Sequence, residues 1–327
     1  MDDIRWGIIG CGDVTEVKSG PAFNRVAHSS LVAVMRRDAE KARDYARRHN
    51  VPRWYADADR LIFDPDVNAI YIATPPNVHA EYAIRAAQAG KPVYVEKPMA
   101  RTAEECLAMI NACQRAGVPL FVAYYRRCLP AFVKVKELVD SGVIGQVRVV
   151  NLRLFQAAPV DSKELPWRVQ PEIAGGGLFY DLGSHQFDYL DYLLGPVIST
   201  TGQSANQAGL YPAEDAVVAS WRHASGVLGS GSWCFSAAPE QKQDQVEILG
   251  SQGRISFATF DNQPVCLETA AGREEFTFPR IDPIQQPLIE TVVAELRGEG
   301  LCPSSGLSAA RTNWVLESIL QSGRQKS

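Results

Sequence analysis

The chain has 327 residues, of which 46% are hydrophobic and 21% are charged, as in ordinary globular proteins. At about 150 residues per domain, this length predicts two domains that can each bury a hydrophobic core. The 33 Lys and Arg residues nearly balance the 37 Asp and Glu residues, so the net charge is −4. This balance excludes a protein that binds nucleic acid mainly through a basic surface.

The seven cysteines are an odd number, include no C-x-x-C pair and are scattered along the chain. This distribution argues against a disulfide scaffold or a zinc ribbon and favours a reducing compartment. No apolar stretch approaches the roughly 18 residues of a membrane-spanning helix, and the acidic N-terminus lacks the apolar core of a signal peptide. We therefore expect a cytoplasmic protein without a membrane segment.

The first third of the chain alternates short apolar runs with helical patterns. Strands are predicted at residues 6–10, 31–35, 69–73, 92–95 and 120–123. Helices are predicted between them at residues 38–49, 78–89 and 102–115, the last beginning with a capping box of Thr102 and Glu105. Uninterrupted apolar strands are typical of a parallel sheet that is covered on both faces. The alternation predicts a doubly wound α/β Rossmann domain over residues 1–123.

The pattern changes after about residue 124. Alternating strands are predicted at residues 147–155, 217–221, 227–235, 245–249 and 254–258. Helices are predicted at residues 130–141, 188–194, 287–297 and 308–322. Long strands with tight turns and few intervening helices indicate an α+β domain, residues 124–327, with a mostly antiparallel sheet.

A glycine-rich turn follows the first predicted strand. Gly10 and Gly12 let the backbone turn tightly and approach a pyrophosphate, which the amides of Asp13 and Val14 at the next helix would bind. The third position of the G-x-G-x-x-G fingerprint is Thr15, and an ordinary strand-to-loop turn is the alternative interpretation. The position of this turn at the first βα junction favours a dinucleotide.

The choice of dinucleotide depends on the residue that ends the second strand. NAD-binding chains usually carry Asp or Glu there, but this chain has Arg36 followed by Arg37. A guanidinium binds phosphate well and accepts no hydrogen bond, so NADP is the preferred cofactor and NAD the second option. Two alternatives stay open: both arginines are solvated charges before a helix, or Asp38 is the ribose-binding acid in a register shifted by two residues.

Four motifs together carry a resemblance to a known family. They are GIIGCG at residues 7–12, TPPNVH at 74–79, YVEKP at 94–98 and GGGLFYDLGSH at 175–185. They resemble the glucose–fructose oxidoreductase, inositol dehydrogenase and rhizopine-catabolism family (Gfo/Idh/MocA) over nearly the whole chain. The resemblance implies a Rossmann domain followed by a domain with an open, mainly antiparallel sheet that often joins subunits, and therefore a homodimer or homotetramer.

The resemblance also implies the chemistry: hydride transfer between a nicotinamide and a sugar, polyol or dihydrodiol. Lys97 of E-K-P and His185 of D-x-G-x-H are then catalytic, together with Asp181. Histidine side chains ordinarily change protonation near neutral pH, so His185 would exchange the hydroxyl proton, while Lys97 would stabilise charge on the substrate oxygen. Asp181 lies four residues before His185, so on a helix it would share a face with the imidazole and orient it, or bind a substrate hydroxyl. The alternatives are a structural histidine and a surface lysine.

Other residues are assigned to binding. The expected cofactor contacts beyond the glycine turn and the two arginines are Thr74, Pro75, Asn77, His79, Glu96 and Lys97. The expected substrate contacts are Tyr125, Arg126, Trp167, Arg168 and Tyr180. The pairing of Tyr125 with Arg126 departs from the family, in which an Asn-Arg pair is frequent at this place.

Two further functions compete with a dehydrogenase that acts on a small molecule. A glycoside hydrolase that retains NAD would keep the same site, and a regulator would bind NADP without turnover. No set of His, Cys, Asp and Glu residues has metal-ligand spacing, so the reaction is expected to need no metal.

Overall fold

The computed structural model describes residues 1–158 and 165–324. It divides into two compact units, the first of Met1–Arg127 with Ile281–Ala310 and the second of Cys128–Arg280 with Arg311–Ser327. The sequence placed a single boundary near residue 124, whereas residues 281–310 return to the first unit. No helix in the described ranges combines the length and the apolar character that a membrane crossing needs.

The first unit is built on a six-stranded sheet in the order β3-β2-β1-β4-β5-β6. All of its strand pairs are parallel. The strands are β1 (Ile4–Ile9), β2 (Ser29–Met35), β3 (Arg53–Tyr55), β4 (Ala69–Ile72), β5 (Val93–Val95) and β6 (Leu120–Val122). The sequence missed β3 because it is a three-residue edge strand without a fully buried residue.

Helices separate these strands. They are α1 (Asp13–Val17), α2 (Ala22–Arg25), α3 (Ala39–Arg48), α4 (Ala58–Ile62), α5 (His79–Gln88), α6 (Ala103–Ala116) and, from the returning segment, α10 (Gln286–Arg297). Every residue of β4 and β5 is buried, which explains their uninterrupted apolar sequence. The capping box at α6 is half confirmed. Thr102 Oγ1 accepts the Glu105 amide at 3.1 Å, but the Glu105 carboxylate accepts the Arg101 amide instead.

The second unit is built on an eight-stranded sheet in the order β14-β13-β12-β11-β7-β10-β9-β8. The strands are β7 (Val147–Phe155), β8 (Val197–Ala205), β9 (Ala216–His223), β10 (Leu228–Cys234), β11 (Gln243–Gly250), β12 (Gly253–Phe257), β13 (Val265–Thr269) and β14 (Gly272–Phe276). β7 and β10 pair in parallel, and the other neighbours pair in antiparallel fashion. The predicted fold class is confirmed. The sequence missed β8, β13 and β14, and the reason is plainest for β14, whose residues stay largely exposed.

The helices of the second unit are α7 (Pro130–Asp140), α8 (Pro171–Ala174) and α9 (Ser184–Leu194), and α11 (Gly306–Arg324) is divided between the units at residue 310. α9 is almost wholly buried. Its Phe187 packs edge-on against Trp221 of β9, with ring centroids 4.9 Å apart. Side chains alternate along β9 between buried and exposed, so one face of the sheet forms the core of this unit and the other is open.

Candidate functional site

The glycine turn after β1 has the geometry that a dinucleotide needs. Gly10 has φ +92°, and a Cβ atom there would lie 2.6 Å from Thr74 Cγ2. Gly12 is different, because a Cβ atom built on it would meet nothing closer than 3.9 Å. Gly10 is therefore required by the fold, while Gly12 keeps space open beside the backbone. Such space at the first βα turn fits a pyrophosphate.

Thr15, which replaces the third glycine of the fingerprint, closes this turn. Its buried hydroxyl accepts the Gly12 amide at 3.0 Å and donates to the Gly12 carbonyl at 2.8 Å. The Tyr45 hydroxyl donates to the Thr15 carbonyl at 2.9 Å. The helix that follows, α1, has only five residues, so its dipole is small.

Arg36 reaches this turn from the end of β2. Its Nη1 donates to the Cys11 carbonyl at 3.2 Å, while Arg37 is exposed. Asp38 is the N-cap of α3, and its carboxylate accepts the Lys41 amide at 3.1 Å. That hydrogen bond lowers the pKa of Asp38 below its usual value. Arg36 therefore lies at the glycine turn, whereas Asp38, the alternative ribose-binding residue, caps α3.

The loop after β4 contributes Thr74, Pro75 and Asn77, of which Asn77 is exposed. Thr74 Oγ1 is buried and has no hydrogen-bond partner among the residues that the structure describes. A buried hydroxyl without a partner is costly and suits a site that a ligand completes. The open space at Gly12, the cation at Cys11 and this hydroxyl together fit a dinucleotide.

His79 is held among backbone carbonyl groups. It is fully buried, with Nε2 2.7 Å from the Thr74 carbonyl oxygen and Nδ1 3.2 Å from both the Pro98 and Met99 carbonyl oxygens. Burial lowers the pKa of the imidazole, although these carbonyls oppose the shift. His79 thus joins the Thr74 loop to the turn that follows Lys97, because both of its nitrogens face backbone oxygens.

The Glu96 carboxylate is held by hydrogen bonds within the first unit. Its Oε1 accepts the Tyr71 hydroxyl at 2.5 Å and the Gln285 amide at 2.6 Å, and its Oε2 faces the Lys97 amide at 3.2 Å. Tyr94 donates to Gln285 Oε1 at 2.9 Å. These bonds hold the backbone from which Lys97 projects. The sequence missed Gln285, which lies 189 positions downstream of Glu96.

Tyr125 and Arg126 follow β6, the strand beside β5. The Arg126 guanidinium lies 5.1 Å from the Tyr125 ring centroid, and both side chains are buried. Burial alone would raise the pKa of Tyr125, but the charges of Arg126, Lys18 and Lys97 outweigh it and lower that pKa. The structure therefore brings Tyr125, Arg126 and Lys97 together at the carboxyl edge of the parallel sheet.

In the second unit, Asp181 and His185 are both buried, and His185 is the second residue of α9. A turn of π-helix, Phe179–Gly183, carries Asp181 and leads into the helix. The Asp181 carboxylate forms an ion pair with Arg168 Nε at 3.3 Å. The Arg168 guanidinium in turn lies 4.3 Å from the Trp167 ring centroid. Trp167, Arg168 and Asp181 thus form one cluster.

The same segment contains Tyr180 and the glycines that precede it. Tyr180, expected to contact substrate, is 1% exposed, and its hydroxyl accepts the Asn313 side-chain amide at 3.1 Å. A Cβ atom on Gly177 would lie 2.8 Å from Ala213 Cβ and 2.9 Å from the Glu214 carbonyl oxygen. Gly177 therefore allows a close approach of two chain segments.

The His185 ring lies edge-on to Phe260, with centroids 5.9 Å apart and an interplanar angle of 75°. Sequence reasoning missed Phe260, since no motif marks it. Within the described ranges, no group of three or more His, Cys, Asp and Glu side chains is arranged to hold a metal ion.

Comparisons with known proteins cover both units. The profile of the oxidoreductase family with an NAD-binding Rossmann fold matches residues 4–124, and that of the GFO/IDH/MocA C-terminal domain matches residues 132–256. Oxidoreductase P35 of Formosa agariphila is 39% identical over 96% of this chain and 97% of its own. Levoglucosan dehydrogenase of Pseudarthrobacter phenanthrenivorans is 31% identical over 79% of this chain and 74% of its own.

Solved structures extend the likeness to the fold. A levoglucosan dehydrogenase in complex with NADH and L-sorbose is 25% identical and superposes with a TM-score of 0.89. The match covers all of this chain and 98% of that one.

Proposed function

The chain belongs to the Gfo/Idh/MocA oxidoreductase family, and from this premise we propose that it transfers a hydride between a nicotinamide cofactor and a secondary alcohol of a sugar, polyol or dihydrodiol. The observation that carries the proposal is the placement of three features of the first unit. The glycine turn, Lys97 and Tyr125 each follow the carboxyl end of a parallel strand. Ligands of open α/β sheets bind at this edge. Relatives named as a levoglucosan dehydrogenase, a scyllo-inositol 2-dehydrogenase and a trans-1,2-dihydrobenzene-1,2-diol dehydrogenase support this substrate class.

The bound nicotinamide supplies or accepts the hydride, and the protein provides orientation and proton transfer. In our proposal Lys97 donates a hydrogen bond to the reacting oxygen and stabilises the negative charge that develops there. His185 accepts the hydroxyl proton during oxidation and returns it during reduction. We assign Asp181, Arg168 and Trp167, and separately Tyr125 and Arg126, to the binding of substrate hydroxyls.

The test is a panel of sugars, polyols and dihydrodiols assayed with both oxidised and both reduced cofactors at the nicotinamide absorbance. We expect turnover with at least one class. Turnover of none, or release of a sugar from a glycoside without net cofactor change, would favour the regulator or the hydrolase. No relative named above supports either of those two functions.

We further propose that NADP is the preferred cofactor and that Arg36 binds its 2′-phosphate. The support is the contact of Arg36 with the Cys11 carbonyl and the use of Asp38 as a helix cap. Arg36→Asp should lower the NADP/NAD ratio of kcat/KM by roughly 100-fold, because it replaces a charge-assisted phosphate contact with repulsion. Arg43→Asp, at an exposed residue of α3, is the matched control and should leave the ratio unchanged. A wild-type enzyme that already prefers NAD would contradict this assignment.

We also propose that the chain forms a homo-oligomer. The open face of the second sheet exposes Val218 and Leu228, at 59% and 48%, and we propose that a second copy of the chain covers it. Light scattering should then give a dimer or tetramer, and the double substitution Val218→Lys with Leu228→Lys should shift the mass toward a monomer. A monomeric wild type at micromolar concentration would refute this interface.

All seven cysteines, which lie within residues 1–158 and 165–324, are thiols, which supports a cytoplasmic location.

A further inference from the structure

A buried carboxylate in the second unit holds the segment that packs against His185. Asp244, near the start of β11, is 5% exposed. It accepts three consecutive backbone amides: Thr259 at 2.9 Å, Phe260 at 2.5 Å and Asp261 at 2.8 Å. Successive amides that converge on one anion form charge-assisted bonds, which offset the cost of burying the carboxylate. Asp244 therefore fixes the path of residues 259–261, the 259–261 segment.

The 259–261 segment contacts two consecutive residues of α9. Phe260 presents its ring to the His185 imidazole, with the centroids 5.9 Å apart. Thr259 Oγ1 accepts the side-chain amide of Gln186 at 3.3 Å, and Gln186 Oε1 accepts the Trp233 indole N–H at 2.6 Å. The imidazole thus has an aromatic wall whose position depends on a carboxylate 15 residues before Thr259.

We propose that Asp244 is a positioning residue for proton transfer at His185 and that it acts through the 259–261 segment. This inference rests on the proposed function, in which the proton moves between the substrate hydroxyl and an imidazole nitrogen. Asp244 and Phe260 exchange no proton in that step. They restrict the rotation of the ring, and proton transfer is sensitive to donor–acceptor alignment.

The substitution Asp244→Asn removes the negative charge of the side chain and keeps its shape. The asparagine side chain has nearly the same volume, but one acceptor oxygen becomes an NH2 donor that faces backbone N–H groups. Asp261→Asn is the matched control, because Asp261 belongs to the same segment while its carboxylate pairs with Lys242 at 2.7 Å. Phe260→Leu keeps an apolar side chain and removes the aromatic edge, and it decides the question if Asp244→Asn fails to fold.

Kinetics on the full-length variants, together with thermal unfolding and cofactor titration, provide the test. In Asp244→Asn and Phe260→Leu we expect kcat to fall about tenfold, with KM and cofactor Kd changed less than about threefold. The solvent deuterium isotope effect on kcat should increase, since proton transfer becomes more strongly rate-limiting. Asp261→Asn should match the wild type in all of these quantities.

The outcomes distinguish this inference from the proposed function. If Asp244→Asn or, should it not fold, Phe260→Leu keeps the kcat and the isotope effect of Asp261→Asn, the positioning role is refuted. If His185→Ala itself keeps full kcat, the proposed mechanism fails, and the positioning role falls with it.

Discussion

Replacing Lys97 with methionine should lower kcat by about 100- to 10,000-fold, the range expected when a group that stabilises transition-state charge or transfers a proton is lost. Methionine has a similar length and an apolar end, so the variant removes the cation and little volume. Glu96 would still hold the backbone through Tyr71 and Gln285. Cofactor affinity, measured by fluorescence titration, should therefore change little.

The matched control for this variant is Lys136→Met. Lys136 lies on α7 and pairs with Asp140 at 2.8 Å on an exposed surface. Its replacement should leave kcat at the wild-type value, because Lys136 is assigned to neither the cofactor nor the substrate. The protein should also stay folded, because exposed ion pairs contribute little to stability. Wild-type turnover in Lys97→Met would show that this lysine is not part of the chemistry.

Replacing His185 with asparagine should also lower kcat by roughly 100- to 10,000-fold, because the proposed proton acceptor is lost. Asparagine can still form hydrogen bonds, so the buried position is not left entirely without polar contacts. Steady-state kinetics in both reaction directions measure the effect, and cofactor titration verifies that the first unit is intact.

His28→Asn is the control for the histidine variant. His28 is exposed, pairs with Asp3 and has φ +58°, a backbone conformation that asparagine adopts readily. This variant should keep wild-type kcat and stability. If His185→Asn performs like His28→Asn, the buried histidine is structural and another group exchanges the proton.

The parts of the fold and site that could be predicted from sequence are those with a local cause. The turn at Gly10 could be predicted because glycine readily adopts its backbone conformation. Buried strands such as β4 could be predicted from their uninterrupted apolar residues. The edge strand β3 has neither signal. The motif containing Lys97 is recognisable because its residues are adjacent, and so is the motif containing His185.

The partners of the site residues could not be predicted in this way. Glu96 finds Gln285 189 positions away, and Asp244 meets the 259–261 segment only after the β11–β12 hairpin forms. Buried polar groups require hydrogen-bond partners, but this requirement does not show which distant residue is the partner. The sequence therefore did not reveal that the side chains of Glu96 and His79 hold the backbone around Lys97.

The most direct test of the central claim follows an isotope from the cofactor to the product. The purified protein is incubated with NADPH or NADH carrying deuterium at both C4 positions and with a panel of ketoses, keto-polyols and related carbonyl compounds. We predict one deuterium at the new carbinol carbon of the product and an equal amount of oxidised cofactor. A product that forms without deuterium while the cofactor stays reduced would contradict hydride transfer.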